Sequence, residues 1–118
     1  MRWVDAAKRY LGAIASKDID TLEYVLDDDV RMTCWSCDVT GKEETLKTLN
    51  NFFDFVTDIK IHIQNTAYHN KYVCVELELS YTRIKKIKVV SHIVYIIEFN
   101  DWGKIKLMRI YRMKEGEE

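Results

Sequence analysis

The sequence contains no proline, only four glycines and only three cysteines among its 118 residues. Because few residues interrupt regular structure, hydrophobic periodicity has to define the helices and strands. An odd number of cysteines argues against a secreted disulfide framework and predicts a cytoplasmic protein with reduced thiols. No apolar run approaches the roughly 18 residues of a membrane span, and the first residues lack the continuous apolar stretch of a signal peptide. The net charge of −1 provides no field that would attract nucleic acid. We therefore expect neither nucleic acid nor a membrane as a partner.

The residues that are present suffice for one hydrophobic core. Hydrophobic residues make up 47% of the chain and charged residues 31%, which is typical of a folded domain. A chain of this length buries about two-thirds of its surface on folding. We expect one domain over residues 1–118, in which the polar residues 114–118 form a frayed tail.

The first part of the chain has the periodicity of helices. Apolar residues at helical spacing form one stripe on the first helix: Trp3, Ala6, Ala7, Tyr10, Leu11 and Ile14. Asp18 is the predicted N-cap of a second helix. The acidic run of residues 27–29 disfavours a helix C-terminus, so the chain should already have left the helix there. Thr40 and Glu43 form a capping-box pattern that predicts the start of a third helix.

The rest of the chain alternates apolar and polar residues, as half-buried strands do. A short strand is predicted at residues 30–34, and longer ones within 59–64, 73–82, 89–99 and 104–113. Three N-terminal helices followed mostly by long strands predict an α+β fold, in which the helices pack on a curved, mostly antiparallel sheet.

The strand at residues 89–99 differs from the others because it is apolar at nearly every position. A strand of this kind is buried on both faces. The helices cover one face, and a second subunit would cover the other. We therefore predict a homodimer through the outer sheet face around His92, Val94 and Ile96. The alternative is a monomer with a few exposed apolar residues, which any protein surface tolerates.

Four phrases in this order and spacing resemble a known family. They are Tyr10-Leu11-x-Ala13-Ile14-x-x-Lys17-Asp18-Ile19-Asp20-x-Leu22, Leu26-Asp27-Asp28-Asp29-Val30, Thr40-Gly41-Lys42-Glu43 and Glu98-Phe99-Asn100-x-x-Gly103-Lys104-Ile105. The chain resembles the SnoaL-like branch of the nuclear-transport-factor-2-like (NTF2-like) superfamily. The resemblance implies a cone-shaped barrel with a pocket between the sheet and the helices. This fold carries isomerases, cyclases, epoxide hydrolases and non-catalytic modules, so it does not define the function.

The resemblance also implies where catalytic groups would lie. Ketosteroid isomerases of this superfamily use a tyrosine as oxyanion donor, an aspartate as base and a protonated aspartate as second donor. The corresponding positions here are Tyr10, Cys34 and Tyr95, so the base is missing. The pocket aspartate of the polyketide cyclases and the Asp-Arg-Asp set of the limonene-type hydrolases have no counterpart on the inward strand faces. The sequence favours a non-catalytic module, either ligand-binding or for assembly; the alternative is an isomerase, cyclase or hydrolase that uses Tyr10 and Tyr95 as hydrogen-bond donors.

The predicted pocket binds a small apolar molecule, needs no cofactor and has no assigned catalytic residue. Its candidate residues are Tyr10, Met32, Cys34, Tyr95, Met108, Ile110 and Arg112. Tyr10 can equally be a core residue whose hydroxyl finds any partner. For Tyr95 the core interpretation is slightly favoured, because its strand is so apolar. Arg112 would hold an anion at the pocket mouth in one register of the last strand, and point away from the pocket in the other.

Two further clusters have less specific interpretations. Cys34 and Cys37 form a C-x-x-C, but a zinc site needs two more ligands and only Cys74 and His92 are loose candidates. We predict no metal and two unpaired thiols, which oxidation under stress would join. A basic cluster at residues 83–88 contacts phosphate or an acidic partner in one interpretation and is merely solvated in the other; the second is favoured because a hairpin tip is usually solvated.

Overall fold

A computed structural model describes the backbone of residues 2–117 and the side chains of residues 2–113. Three helices and six strands follow one another in the order α1 (Arg2–Ser16), α2 (Ile19–Val25), β1 (Leu26–Thr33), β2 (Asp38–Thr40), α3 (Lys42–Phe55), β3 (Val56–His69), β4 (Tyr72–Arg83), β5 (Ile87–Phe99) and β6 (Ile105–Glu117). A short 3₁₀ turn, Ile84–Lys86, joins β4 to β5. The predicted α+β class is therefore confirmed.

The six strands form one curved, open sheet in the order β2-β1-β6-β5-β4-β3. All neighbours are antiparallel except β1 and β6, which are parallel. Register shifts interrupt the β1–β6, β3–β4 and β5–β6 ladders, and bulges of this kind bend strands. The bent sheet wraps around the helices, and its inner face supplies half of the core.

The helices bury the faces that their periodicity predicts. On α1, Ala7, Tyr10, Leu11 and Ile14 are buried. The predicted N-cap of α2 is confirmed, since the Asp18 carboxylate accepts a hydrogen bond from the backbone N–H of Thr21 at 3.2 Å. The ammonium group of Lys17 donates to two backbone carbonyls at the end of α3, including that of Phe53 at 2.8 Å. These bonds join the C-terminal ends of α1 and α3.

The N-terminus of α3 differs from the prediction. The N-cap of α3 is Gly41 and makes no side-chain cap bond, whereas Thr40 belongs to β2. The capping box is therefore wrong, because the Thr40 backbone pairs with Arg31 in the sheet. Gly41 adopts a φ of 97°, a conformation that glycine tolerates better than other residues.

The last strand is longer than predicted. The backbone of residues 114–117, expected to be a frayed tail, continues β6 and pairs with β5 as far as Val89. Residues 89–92 of β5 offer backbone N–H and C=O groups along this edge, and pairing with residues 114–117 uses them. Glu118, the last residue of the predicted tail, lies outside the described residues. Among residues 2–117, no helix is long and apolar enough to cross a membrane.

Candidate functional site

A cavity of about 180 Å³ lies between the inner face of the sheet, α3 and the loop that joins β1 to β2. Its wall is mostly aliphatic, aromatic and sulfur-containing. The lining residues are Ile14, Met32, Cys34, Trp35, Ser36, Cys37, Thr48, Leu49, Phe52, Leu79, Tyr81, Ser91, Ile93, Tyr95 and Ile110. No aspartate, glutamate, histidine, lysine or arginine is among them. The cavity is therefore an apolar space with a few neutral hydroxyl groups.

Tyr95 contributes a buried hydroxyl group to this wall. Tyr95 lies on the inner face of β5, two positions from Ile93 and four from Ser91, which also line the cavity. Burial raises the pKa of Tyr95 to about 12, because the phenolate would lose its hydration. At neutral pH this residue is therefore a neutral hydrogen-bond donor and acceptor.

Tyr10, expected in the pocket, lies behind the cavity wall and does not line it. Its side chain is completely buried, and its ring meets that of Tyr95 edge-on with 6.3 Å between the centroids. Among the described residues the Tyr10 hydroxyl has no hydrogen-bond partner. Burial, together with the neighbouring Tyr95, raises the pKa of Tyr10 well above its ordinary value. Tyr10 is thus a core residue in this structure because its α1 position points into the helix–sheet interface.

The rim of the cavity is the four-residue loop between β1 and β2. The sequence favoured two unpaired thiols here, but Cys34 and Cys37 are joined by a disulfide. The backbone N–H of Cys34 also donates to the carbonyl of Cys37 at 2.9 Å, so the hairpin brings the two residues together. A thiol at Cys34 consequently does not occupy the base position of the isomerases in this structure.

The pairing register of β6 determines on which face of the sheet its three candidate residues lie. Pairing with β5 places Met108, Ile110 and Arg112 opposite Ile97, Tyr95 and Ile93, on the inner face. Of the three, only Ile110 lines the cavity. Met108 is fully buried in the core, and the Arg112 guanidinium lies 4.5 Å from the ring centroid of Trp35 at the rim. Met108 and Arg112 therefore border the site without entering it.

The candidate zinc ligands are divided between the two faces of the sheet. Cys74 and His92 lie on the outer face, with Ile96 and Glu78 as their cross-strand neighbours, whereas Cys34 and Cys37 border the cavity. Residues 2–113 contain no group of three or more histidine, cysteine or acidic side chains that could hold a metal ion. The absence of zinc from the purified protein stays a prediction.

Leu49, Phe52 and Tyr81 also line the cavity, although the sequence analysis did not assign them to the site. The rings of Phe52 and Tyr81 meet edge-on at 5.2 Å and close one side of the cavity. The signal was their position in the apolar period of α3 and in the alternation of β4. Periodicity does not distinguish a residue that fills the core from one that borders a void. Trp35, Ser36 and Ser91 carried no such signal.

The matching family model is the SnoaL-like domain, over residues 7–108. The chain belongs to this family, and its fold matches the α+β cone fold of NTF2-like proteins. No protein of curated function matches the sequence.

Solved structures of low sequence identity share the fold. The chain is similar to an LEH-like epoxide hydrolase of M. tuberculosis (21% identity, TM-score 0.84, 95% of this chain and 83% of that chain). It is also similar to an NTF2-like protein of unknown function from Burkholderia pseudomallei (12% identity, TM-score 0.85, 96% and 92%). A third is a protein with a ketosteroid-isomerase-like fold from Catenulispora acidiphila, in complex with trimethylamine (10% identity, TM-score 0.81, 90% and 83%). At these identities the similarity establishes the fold alone.

Proposed function

We propose that the protein is a non-catalytic module that binds a small, neutral, largely apolar molecule in the cavity. The observation that carries this proposal is the cavity wall, which combines aromatic and aliphatic side chains with hydroxyl groups and, within residues 2–113, contains no charged side chain. An ion in this space would lose its hydration without gaining a counter-charge. A neutral ligand would bury apolar surface and receive a hydrogen bond from Tyr95 or Ser91.

The size of the cavity supports a small ligand. At about 180 Å³ it is below the range of about 300–1,000 Å³ that is usual for drug-sized ligands. An apolar cavity of about 150 Å³ in another protein holds benzene. We therefore infer a ligand of about one ring that bears a single carbonyl or hydroxyl group.

The same wall argues against the enzyme alternative. Tyr95 is a neutral donor at the cavity, but general-base catalysis needs a basic group within hydrogen-bond reach of the abstracted proton. Among the described side chains, residues 2–113, no carboxylate or imidazole lines the cavity, and the two nearest thiol positions are joined in the disulfide. A donor without a base leaves proton abstraction unassisted.

The experiment compares neutral and charged ring compounds. Thermal unfolding is followed with phenol and cyclohexanone, and with benzoate and benzylammonium as charged analogues. We expect the neutral compounds alone to raise the midpoint, and Ser91→Leu to abolish the effect by filling the cavity. Ser80→Leu, on the outer face of β4, is the matched control and should keep it.

Circular dichroism verifies that the filled variant is folded, and Leu49→Phe provides a second filling variant. Stabilisation by benzoate equal to that by phenol would contradict the proposal. Conversion of any of these compounds into a product would support the enzyme alternative instead.

We also propose that two copies associate through the outer sheet face. Val94 and Ile96 are half-buried on this face, and β6 adds the exposed Tyr111 and Met113 beside them. A contiguous apolar surface of this kind is typical of an interface. Light scattering at micromolar concentration should give twice the 14.0 kDa of one chain, and Val94→Lys should give the mass of one chain. A mass of 14.0 kDa for the unmodified protein would refute the dimer.

We also propose a cytoplasmic location, as the sequence predicts.

A further inference from the structure

The turn between β4 and β5 carries an exposed apolar cluster. Phe55 at the end of α3 is 59% exposed, Ile84 is 57% exposed and Ile87 is 37% exposed. Together with Arg83 they line one groove, so the three apolar side chains are neighbours. We call this cluster, with the surrounding cations of residues 83–88, the tip. Large apolar side chains grouped in this way at a turn are unusual for a solvated hairpin.

The charge of the tip is strongly one-sided. Residues 83–88 read Arg-Ile-Lys-Lys-Ile-Lys, with four cations and no acid, in a chain of net charge −1. Lys85 and Lys86 adopt φ values of 73° and 63° at the turn between the two isoleucines. Among the described side chains, Asp58 lies with Lys60 and Lys88 beside a neighbouring groove. The backbone pairing of β5 with β6 also brings Glu117 opposite Val89, next to the tip. The positive charge is therefore concentrated in residues 83–88 themselves.

The sequence alone favoured solvation for this basic cluster, because charge at a hairpin tip is usually solvated. The structure adds Phe55, which is distant in sequence, and shows that both isoleucines are accessible. An apolar centre surrounded by cations fits a surface with an apolar interior and anionic groups above it. We propose that the tip docks on an anionic lipid bilayer, with the apolar side chains at the acyl boundary and the lysines among the phosphate groups. This proposal departs from the sequence-based expectation of no membrane partner, which rested on the net charge and on the lack of a long apolar run.

The residue types favour a bilayer over a protein or a nucleic acid. Protein interfaces are enriched in tryptophan, tyrosine and arginine and depleted in lysine, whereas three of the four cations here are lysine. A nucleic acid offers phosphate but no apolar phase for Ile84 and Ile87. A lysine near an anionic membrane surface strengthens binding about fivefold.

The test is cosedimentation of the full chain with vesicles of phosphatidylcholine alone or mixed with phosphatidylserine. We expect binding to the mixed vesicles, weakening as salt is raised. Replacing both Lys85→Gln and Lys86→Gln should weaken it about 25-fold, at about fivefold per lysine. Ile84→Ser combined with Ile87→Ser should reduce binding at unchanged charge. The docking does not depend on the proposed function of the cavity.

The controls change similar residues elsewhere. Lys47→Gln removes an exposed lysine from the middle of α3, and Trp102→Ser removes an apolar side chain that is 81% exposed at the β5–β6 turn. Both variants should bind like the unmodified protein. Inorganic phosphate should compete no better than chloride at equal ionic strength, because it offers no apolar phase.

Equal binding to the two kinds of vesicle would overturn the proposal, as would tip variants that bind like the unmodified protein. Absence of vesicle binding combined with tip-dependent binding to polyglutamate would overturn it in favour of an acidic protein partner. All substituted side chains are exposed, and unchanged thermal midpoints would verify that the variants are folded.

Discussion

Removing the hydroxyl group of Tyr10 should stabilise the protein. The side chain is 0% exposed, and its hydroxyl has no partner among the described residues. Leaving a buried polar group unpaired costs about 1–3 kcal/mol, whereas the phenyl ring of Tyr10→Phe keeps the contact with Tyr95. We expect the free energy of unfolding to rise by about 1–2 kcal/mol, with a melting midpoint about 4 °C higher per kcal/mol.

The measurement is urea unfolding followed by circular dichroism, analysed at an unchanged denaturant slope. Tyr95→Phe is the matched control, because it removes the same group from a residue of the cavity wall; we expect a change of about 0.5 kcal/mol or less. A Tyr10→Phe variant that is less stable than the parent, or equally stable, would refute the reasoning. It would show that the hydroxyl is satisfied in the folded protein, for example by a buried water molecule.

Three other perturbations have defined outcomes. Stability should fall between pH 10 and about 12, since the unfolded chain releases the Tyr95 proton first; the Tyr95 contribution is about 2 kcal/mol by pH 12. The fall between pH 9 and pH 12 should be smaller by about this amount in Tyr95→Phe, where the buried Tyr10 still contributes to it. Reduction of the disulfide with dithiothreitol should lower the free energy of unfolding by about 2 kcal/mol, which is the loop-entropy value for a four-residue loop. The stability of a variant with Cys34→Ser and Cys37→Ser should not change on adding dithiothreitol. The parent should not isomerise a small β,γ-unsaturated ketone. Cys34→Asp in a Cys37→Ser background should abstract the proton about 10²–10⁴-fold faster than the matched Cys34→Asn variant in the same background. Activity in the parent that is lost in Cys34→Ser would show that a thiol is the base.

The elements with strong periodicity were predictable from the sequence. The stripe of α1 and the alternation of β4 each describe one buried face, and the structure buries those faces. The boundary between α2 and β1 was less well defined, because an apolar Leu26 fits the last turn of a helix as well as the first position of a strand. β2 was missed because three residues are too few to show a period of two. Its pairing with β1 is also what removes Thr40 from the helix cap.

The site was less predictable than the fold, since it depends on which side chains leave space unfilled. Tyr10 and Met108 were candidates for the pocket, yet both fill the core, while Ile110 on the same face of β6 as Met108 borders the cavity. The face of β6 on which Arg112 lies follows from the pairing of β6 with β5, and this pairing joins residues that are distant in sequence. The disulfide likewise depends on the hairpin that the short β2 creates. These are properties of tertiary packing, and no local pattern in the sequence encodes them.

The neutrality of the cavity results from the placement of acidic residues and not from their scarcity. The chain has 19 aspartates and glutamates, and two of them, Glu76 and Glu78, lie on a strand that lines the cavity. The alternation of β4 directs both to the outer face, while Leu79 and Tyr81 line the cavity. A shift of one residue in this strand would exchange the two sets and bring carboxylates inside. Strand register therefore determines part of the chemistry of this cavity, and the register of β4 keeps Glu76 and Glu78 out of it.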